Sequence, residues 1–303
     1  MASGSWPGPV YVFRGVDGGA FAAPQSLKLA DGKEFKMESA SAVAAADWDK
    51  DGDVDLVVGF ISGDLVFLAN ETKEGKLAFG DPVKLTAGGE PVTASDGGPC
   101  LADWDGDGVE DLIVGDGEGG VRLFRATRKG DKGVPQLASA ESLVAPLPAN
   151  ERYLPMKADK DGRVENPHAG SRTKPAVGDW NGDGKPDLLV GDFSSVETPA
   201  RELTAEDKAK RKELKAKVDD LSVKSSTMWD EIETQVYKKM GLEADADVPD
   251  EREEEYDKLW EELSAANAEY VKVEKELGEA MTALSPFESP RGYRGFVWVY
   301  LRK

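Results

Sequence analysis

A run of alternating aspartates followed at once by an apolar segment occurs three times in this 303-residue chain. The copies read DWDKDGDVDLVVG from Asp47, DWDGDGVEDLIVG from Asp103 and DWNGDGKPDLLVG from Asp179. Each copy has a glycine after its fifth residue, where a loop must turn sharply, and ends in a short run typical of a buried strand. Three near-copies in one chain predict a repeat protein in which each copy builds the same loop between two strands.

Alternating oxygen ligands in a short loop favour Ca²⁺, which takes about six to eight oxygen ligands in proteins. We therefore predict that the side chains at positions 1, 3, 5 and 9 of each copy and the backbone carbonyl at position 7 bind one ion. An EF-hand does not fit, because position 12 is valine in each copy and strands replace the flanking helices. In chain order, the predicted ligands are Asp47, Asp49, Asp51, Asp53 (carbonyl) and Asp55; Asp103, Asp105, Asp107, Val109 (carbonyl) and Asp111; and Asp179, Asn181, Asp183, Lys185 (carbonyl) and Asp187.

The pattern D-x-[DN]-x-D-G-x-x-D-L-[VIL]-V-G resembles the FG-GAP (VCBS) repeat of integrin-type β-propellers. This resemblance implies a mainly β fold with a calcium ion between the first two strands of each blade. It also implies structural ions, one per loop, rather than catalytic ones. It further implies a non-enzymatic module that binds proteins or glycans in an extracellular, periplasmic or cell-surface setting.

A second recurrent segment follows each apolar strand and predicts a further strand. It reads GDLVFLAN from Gly63, GGVRLFRA from Gly119 and GFVWVYLR from Gly295, with an additional copy, GPVYVFRG, from Gly8. Its alternation fits a strand with one face buried. We count about four blades, which is few for a closed ring. We assign residues 8–200 and 285–303 to the blades.

Residues 201–284 leave the strand pattern and predict an antiparallel coiled-coil hairpin inserted in the last blade. The first helix opens with a capping box at Thr204 and Asp207 and ends at Gly241. The second helix is predicted from about Asp250 to Leu284, with two apolar positions that recur at heptad spacing. The predicted seam contains Leu214, Val218, Leu221, Met228, Ile232, Tyr256, Leu259, Leu263, Ala266, Tyr270, Val273, Leu277, Ala280 and Leu284. A hairpin of this length predicts that the arm either contacts a partner protein or joins a second copy of the chain in a homo-oligomer.

The composition excludes some classes of protein. The formal net charge of −20 argues against binding to a nucleic-acid backbone, which requires a basic face. Cys100 is the only cysteine, so no internal disulfide exists, and its apolar neighbours predict a buried core residue. No apolar run reaches the length of a membrane span, and the first residues do not predict a signal peptide.

Two features leave alternatives open. Trp48, Trp104 and Trp180 follow the first aspartate of each copy, and their repetition favours packing between blades over stacking on a sugar. The long polar segment 150–172 is the other feature, because long loops often carry binding residues. This segment also holds Arg172, and if the chain is instead a propeller-based lyase or hydrolase, its site is expected there, near Arg152, Tyr153, Arg163 and His168. No familiar catalytic motif supports this alternative.

Overall fold

The computed structural model describes the chain except for residues 6–7, 38, 40–41, 130–132, 152–153, 165–166, 168, 244–245, 247 and 250–251. The chain divides into two compact units. The β-rich unit contains Met1–Lys157, Val164–Val196 and Gly292–Lys303, and the helical unit contains Ala158–Arg163 and Glu197–Arg291. The fold prediction is confirmed in its coarser form: a β-rich part of several small antiparallel sheets is accompanied by helices that pack together. No propeller is detected among the described residues, so the blade architecture stays a proposal.

The β-rich unit begins with two antiparallel sheets. The N-terminal sheet contains β1 (Ala2–Ser3), β2 (Tyr11–Val12) and β3 (Gln25–Ser26). The first repeat sheet has the order β4 (Ala42–Ala46), β5 (Asp55–Gly59), β6 (Leu65–Leu68) and β7 (Val83–Lys84). The first aspartate loop, residues 47–55, connects β4 to β5, as the sequence predicts.

The second repeat sheet has the same order of strands. It contains β10 (Gly98–Ala102), β11 (Asp111–Gly115), β12 (Val121–Phe124) and β15 (Glu141–Val144), all antiparallel. The second aspartate loop, residues 103–111, connects β10 to β11. A smaller sheet joins segments from both repeats, in the order β13 (Ala126–Lys129), β14 (Pro135–Leu137), β8 (Thr86–Ala87) and β9 (Glu90–Pro91).

The third repeat sheet is built around one long strand. β18 (Asp187–Glu197) lies between β16 (Met156–Lys157) and β17 (Ser171–Gly178), and it also pairs with β19 (Arg291–Arg294) and β20 (Val297–Tyr300). The third aspartate loop, residues 179–187, connects β17 to β18. The register of β20 on β18 matches that of β12 on β11, since Leu189 faces Val299 as Ile113 faces Leu123.

Apolar side chains from neighbouring sheets form three buried clusters in this unit. Each cluster combines side chains of one sheet with those of the next, which is how sheets with apolar faces keep water out of a shared core. The first joins the N-terminal and first repeat sheets, the second joins the first and second repeat sheets, and the third joins the second and third repeat sheets. Cys100 is partly buried and packs against the third cluster, so the prediction of a buried core residue is confirmed only in part.

The helical unit contains three α-helices that pack together. They are α1 (Ala205–Met240), α2 (Glu253–Ala266) and α3 (Ala268–Leu284), followed by a short 3₁₀ helix at Ser285–Phe287. We call these elements the helical arm. The predicted capping box is confirmed, since the Thr204 hydroxyl accepts a hydrogen bond from the Asp207 amide and the Asp207 carboxylate accepts one from the Thr204 amide. Gly241 ends α1 in the left-handed region, at φ 69°.

Part of the predicted seam is confirmed, because Leu221, Val273 and Ala280 form a buried cluster, but the second helix of the arm is broken. Asn267 has an extended backbone (φ −82°, ψ 90°), and its side chain accepts a hydrogen bond from the Tyr270 amide, so it ends α2 and caps α3. Ala266, predicted in the seam, is exposed beside this break. The prediction of one continuous helix was therefore wrong. Among the described helices, none has the length and apolar composition needed to cross a bilayer.

Candidate metal centre

The first aspartate of each loop holds the loop backbone in a tight turn. In the second loop, Asp103 accepts hydrogen bonds from the amides of Gly106 (2.7 Å), Asp107 (3.1 Å) and Gly108 (2.9 Å). In the third loop, Asp179 accepts from the amides of Gly182 (2.7 Å), Asp183 (3.0 Å) and Gly184 (2.9 Å). The two loops thus share one conformation, which the common spacing of aspartate and glycine produces.

The first loop has a looser version of this turn. Asp47 accepts a hydrogen bond from the amide of Gly52 at 3.3 Å, and Lys50 takes the left-handed conformation at φ 60°. Lysine replaces the glycine found at this position in the other two loops, and a residue with a Cβ adopts this conformation at a cost. Lys50 also forms an ion pair with Glu110 of the second loop at 2.6 Å.

The ninth position of each loop is a buried carboxylate that binds backbone on both sides. Asp55, Asp111 and Asp187 are 0–1 % exposed. One oxygen of each accepts a hydrogen bond from the amide of the loop tryptophan, at 3.1, 3.2 and 3.0 Å. The other oxygen accepts from an amide just after the third strand of the same sheet, at 2.8 or 2.9 Å. This aspartate therefore links the loop to its sheet through hydrogen bonds that need no bound ion.

Two of the three loops bring three carboxylates close together. Ligand oxygens of Asp47, Asp49 and Asp55 lie within 4.8 Å of one another in the first loop, and those of Asp103, Asp105 and Asp107 do so in the second. The first group is more buried, since Asp49 and Asp55 are 7 % and 0 % exposed. Within the described residues the third loop gives no such group, and Asn181 stands at its third position in place of an aspartate. These groups could hold metal ions, and the remaining predicted ligands stay predictions.

Burial and like charges raise the pKa of several loop carboxylates. The pKa of Asp53 is raised by burial and then by the neighbouring charges of Asp51, Asp49 and Asp47. One oxygen of Asp53 is buried without a hydrogen-bond partner among the described residues. Burial likewise raises the pKa of Asp55 and Asp111. A cation would favour the charged form of these carboxyls, so the first loop fits a divalent ion.

The second loop already has a cation of its own. Arg125 Nη1 lies 2.5 Å from an oxygen of Asp105, and its Nε donates to Glu141 at 2.8 Å. The pKa of Arg125 is raised by the hydrogen bond with Glu141 and then by that with Asp105. The two loops thus differ: Arg125 offsets part of the negative charge in the second loop, whereas Lys50 in the first loop pairs with Glu110.

The loop tryptophans have two different environments. Trp48 and Trp104 are 1 % and 8 % exposed and belong to the clusters between successive repeat sheets. The indole N–H of Trp48 donates to the Glu110 carbonyl of the next loop at 2.7 Å. The prediction of packing between sheets is confirmed for these two. It was wrong for Trp180, which is 64 % exposed.

Sequence reasoning missed two other structural aspartates, Asp116 and Asp192, each directly after the glycine that ends the apolar run. Asp192 accepts hydrogen bonds from the Gly170 amide (2.6 Å), the Phe296 amide (2.8 Å) and the Trp298 indole (2.8 Å). Asp116 accepts from the amides of Glu118 and Gly120. The signal was the extended repeat VGD, which the second and third copies share and the first lacks.

The expected alternative site in segment 150–172 is only partly described. Arg152, Tyr153 and His168 lie outside the described residues. Arg172 forms an ion pair with Asp96 at 3.1 Å, and both residues have a positive φ, at 55° and 53°. Arg163 donates its amide to Asp159 within a four-residue turn. The enzyme alternative stays a prediction.

The comparisons with known proteins add no family to this geometry: no family model matches the chain, and no curated protein matches it significantly.

Proposed function

We propose that the chain is a non-enzymatic, calcium-binding interaction module of the FG-GAP type, in which the ions stabilise the sheets. The observation that carries this proposal is the repeated loop architecture, in which the first aspartate binds the loop backbone and the ninth binds the sheet. The donors are all oxygen atoms, as a hard cation requires. The role of the ions is structural because ligands supplied by the protein leave little room for a substrate.

The grouped carboxylates explain why an ion would stabilise the fold. Carboxylates held within a few ångströms repel one another, and a bound divalent ion replaces this repulsion with attraction. An ion that binds only the folded state stabilises it by RT ln(1 + c/Kd), where c is the free ion concentration, so the stabilisation grows with the logarithm of that concentration. At about 100 times its dissociation constant, one ion contributes about 2.7 kcal/mol. Weak sites would be filled at the millimolar calcium of extracellular fluids, which supports the location expected from the family resemblance.

We further propose that the helical arm contacts a protein partner. Trp229 and Trp260 pair at 4.8 Å between ring centroids, and Trp229 is 38 % exposed. Tryptophan at a partly exposed position is typical of interface anchors. Replacing residues 204–284 by a short linker should remove this contact. The full chain and the shortened chain would then be compared on glycan and protein arrays. A ligand of the arm binds only the full chain, whereas a ligand of the β-rich unit binds both.

The calcium proposal is tested by thermal unfolding followed by circular dichroism, after divalent cations are removed with a chelator. Calcium should raise the midpoint of the β-sheet transition by several degrees and leave the helical transition in place, whereas magnesium should do less. Calorimetric titration should show calcium binding to the first two loops at least. Absence of any calcium-dependent shift or heat would contradict the proposal.

A matched pair of variants locates the ions. Asp47→Asn with Asp49→Asn should abolish binding to the first loop and reduce the calcium-induced stabilisation. The control is Asp159→Asn, because the Asp159 carboxylate binds the amides of Asp161 and Arg163 in a similar turn outside the repeats. Equal effects of the two changes would show that turn geometry, and not ion binding, is responsible.

A further inference from the structure

The sheets of the β-rich unit pack according to one rule. The third strand of each sheet points alternate side chains to what we call its back face, and these are Leu65 and Phe67 in the first repeat sheet and Val121 and Leu123 in the second. We call the opposite surface of each sheet its front face. The back face of one sheet packs against the front face of the sheet that follows it in the chain. The back face of the first repeat sheet thus meets Leu112, Val114 and Phe124.

The same rule holds at the other two junctions. Val10 and Val12 form the back face of the N-terminal sheet, and they pack against the front of the first repeat sheet. The back face of the second repeat sheet packs against Leu188, Val190 and Trp298 of the third. Three successive junctions therefore repeat one front-to-back contact.

The back face of the third repeat sheet has no such cover in the described part of the chain. Val297 and Val299, equivalent by register to Val121 and Leu123, are 68 % and 36 % exposed, whereas their counterparts are 0 % exposed. Leu301, directly after β20, and Trp180, in the third aspartate loop, are 53 % and 64 % exposed. Several large apolar side chains exposed together mark a contact surface.

The complementary surface lies on the N-terminal sheet. Its front face presents Tyr11 and Phe13, at the positions that Val66 and Leu68 occupy in the first repeat sheet. Both are half-buried, and neither belongs to a core cluster of the described residues. The β-rich unit thus has an exposed back face on its third repeat sheet and, among the described residues, a half-buried front face on its N-terminal sheet.

We propose that these two faces bind each other between copies of the chain, so that Val297, Val299 and Leu301 of one copy cover Tyr11 and Phe13 of the next. The contact continues the front-to-back rule of the three internal junctions. It is a head-to-tail contact, which gives closed rings or short filaments rather than a symmetric pair. It depends neither on the ions nor on the arm.

The first experiment measures the mass of the full chain in solution by sedimentation equilibrium in calcium buffer. The wild-type chain should associate reversibly at micromolar concentrations. Val297→Lys should weaken this association at least tenfold, because it places a charge in an apolar contact. The matched control is Val223→Lys, since Val223 of α1 is also 68 % exposed and the change should leave association intact.

A mixing experiment tests the head-to-tail geometry. Val297→Lys copies keep an intact front face and Tyr11→Lys copies keep an intact back face, so each should be largely monomeric alone and a mixture should form heterodimers. Leu301→Lys replaces Val297→Lys if the latter fails to fold by circular dichroism. A monomeric wild-type chain would overturn the proposal, and so would full association of the Tyr11→Lys variant alone. Loss of association with Val223→Lys only would place the contact on the arm and would also overturn it.

Discussion

The repeat sheets and the helical arm bury different kinds of side chain. The buried polar residues of the described chain (Asp49, Asp55, Asp111, Thr173, Asp187 and Ser194) all lie in the β-rich unit. In the arm, the buried residues are apolar, and its charged groups form exposed pairs such as Lys215 with Asp219. Folding of the sheets should therefore depend on carboxylate contacts and cations, whereas folding of the arm should depend on apolar packing. A change in one of these two regions should therefore leave the stability of the other intact.

The largest effect is expected from removing a buried carboxylate of the sheets. Asp55→Ala removes the acceptor for the amides of Trp48, Asp49 and Asn70. Each buried donor without an acceptor costs about 1–3 kcal/mol, so the free energy of unfolding of the β-rich unit should fall by about 4 kcal/mol. Urea unfolding in the presence of a chelator measures this loss without a contribution from ion binding. The control Asp51→Ala removes an exposed carboxylate of the same loop and should cost far less.

A slightly smaller loss is expected from a cavity in the arm. Ile232 is 1 % exposed in α1, so Ile232→Ala should destabilise the arm by about 3 kcal/mol. The helical transition in circular dichroism should shift while the calcium-dependent β transition stays in place. Val223→Ala, at an exposed position of the same helix, is the control. A shift of both transitions by Ile232→Ala would show that the two units unfold together.

Removing the capping box of α1 should lower the free energy of unfolding of the arm by about 1 kcal/mol. Thr204→Ala removes the hydroxyl that accepts a hydrogen bond from the Asp207 amide, and loss of such a cap costs about 1 kcal/mol of stability. Thr234→Ala is the contrasting variant, since its hydroxyl donates to the Asp230 carbonyl within the helix and alanine favours helix there. Urea unfolding of the arm should show opposite signs for the two changes. No loss of stability with Thr204→Ala would mean that the cap contributes little.

The smallest effect concerns pH. Burial, followed by the hydrogen bond that Tyr256 donates to Glu233 at 2.9 Å, raises the pKa of Tyr256 to about 12. The unfolded chain ionises this phenol near pH ~10. The contribution of Tyr256 to stability is therefore complete below that pH and is lost as the pH rises toward the folded value. Tyr256→Phe should remove one late-titrating group from the tyrosinate absorbance, while Tyr270 and Tyr300, whose pKa is also raised by burial, still titrate late. An unchanged titration curve would refute the assignment.

The sequence predicted the repeats well because they depend on local rules. An aspartate that binds amides a few residues along the chain needs only the right spacing, so the loops and their flanking strands were found from residues alone. The capping box and Gly241 were predictable for the same reason. Periodicity likewise identified Leu221 and Val273 as members of the helical seam.

What the sequence could not show depends on neighbours in space. Trp48, Trp104 and Trp180 are equivalent in sequence, yet only the first two are covered by a following sheet. The ion pair of Arg125 with Asp105 joins residues 20 positions apart, and no pattern announces it. The break at Asn267 was missed because heptad spacing continues through it, while an asparagine that caps the next turn decides the backbone locally.

The break at Asn267 divides the second half of the arm into two helices of different local stability. α2 has no buried residue and no side-chain cap at its first turn, whereas α3 contributes Val273 and Ala280 to the seam. Segments with little burial open at low free energy, independently of the rest of a domain. Amide hydrogens of α2 should therefore exchange with solvent well before those of α3 and of the part of α1 that packs against α3. The far end of the arm would behave as a separately melting segment whose order a bound partner could supply.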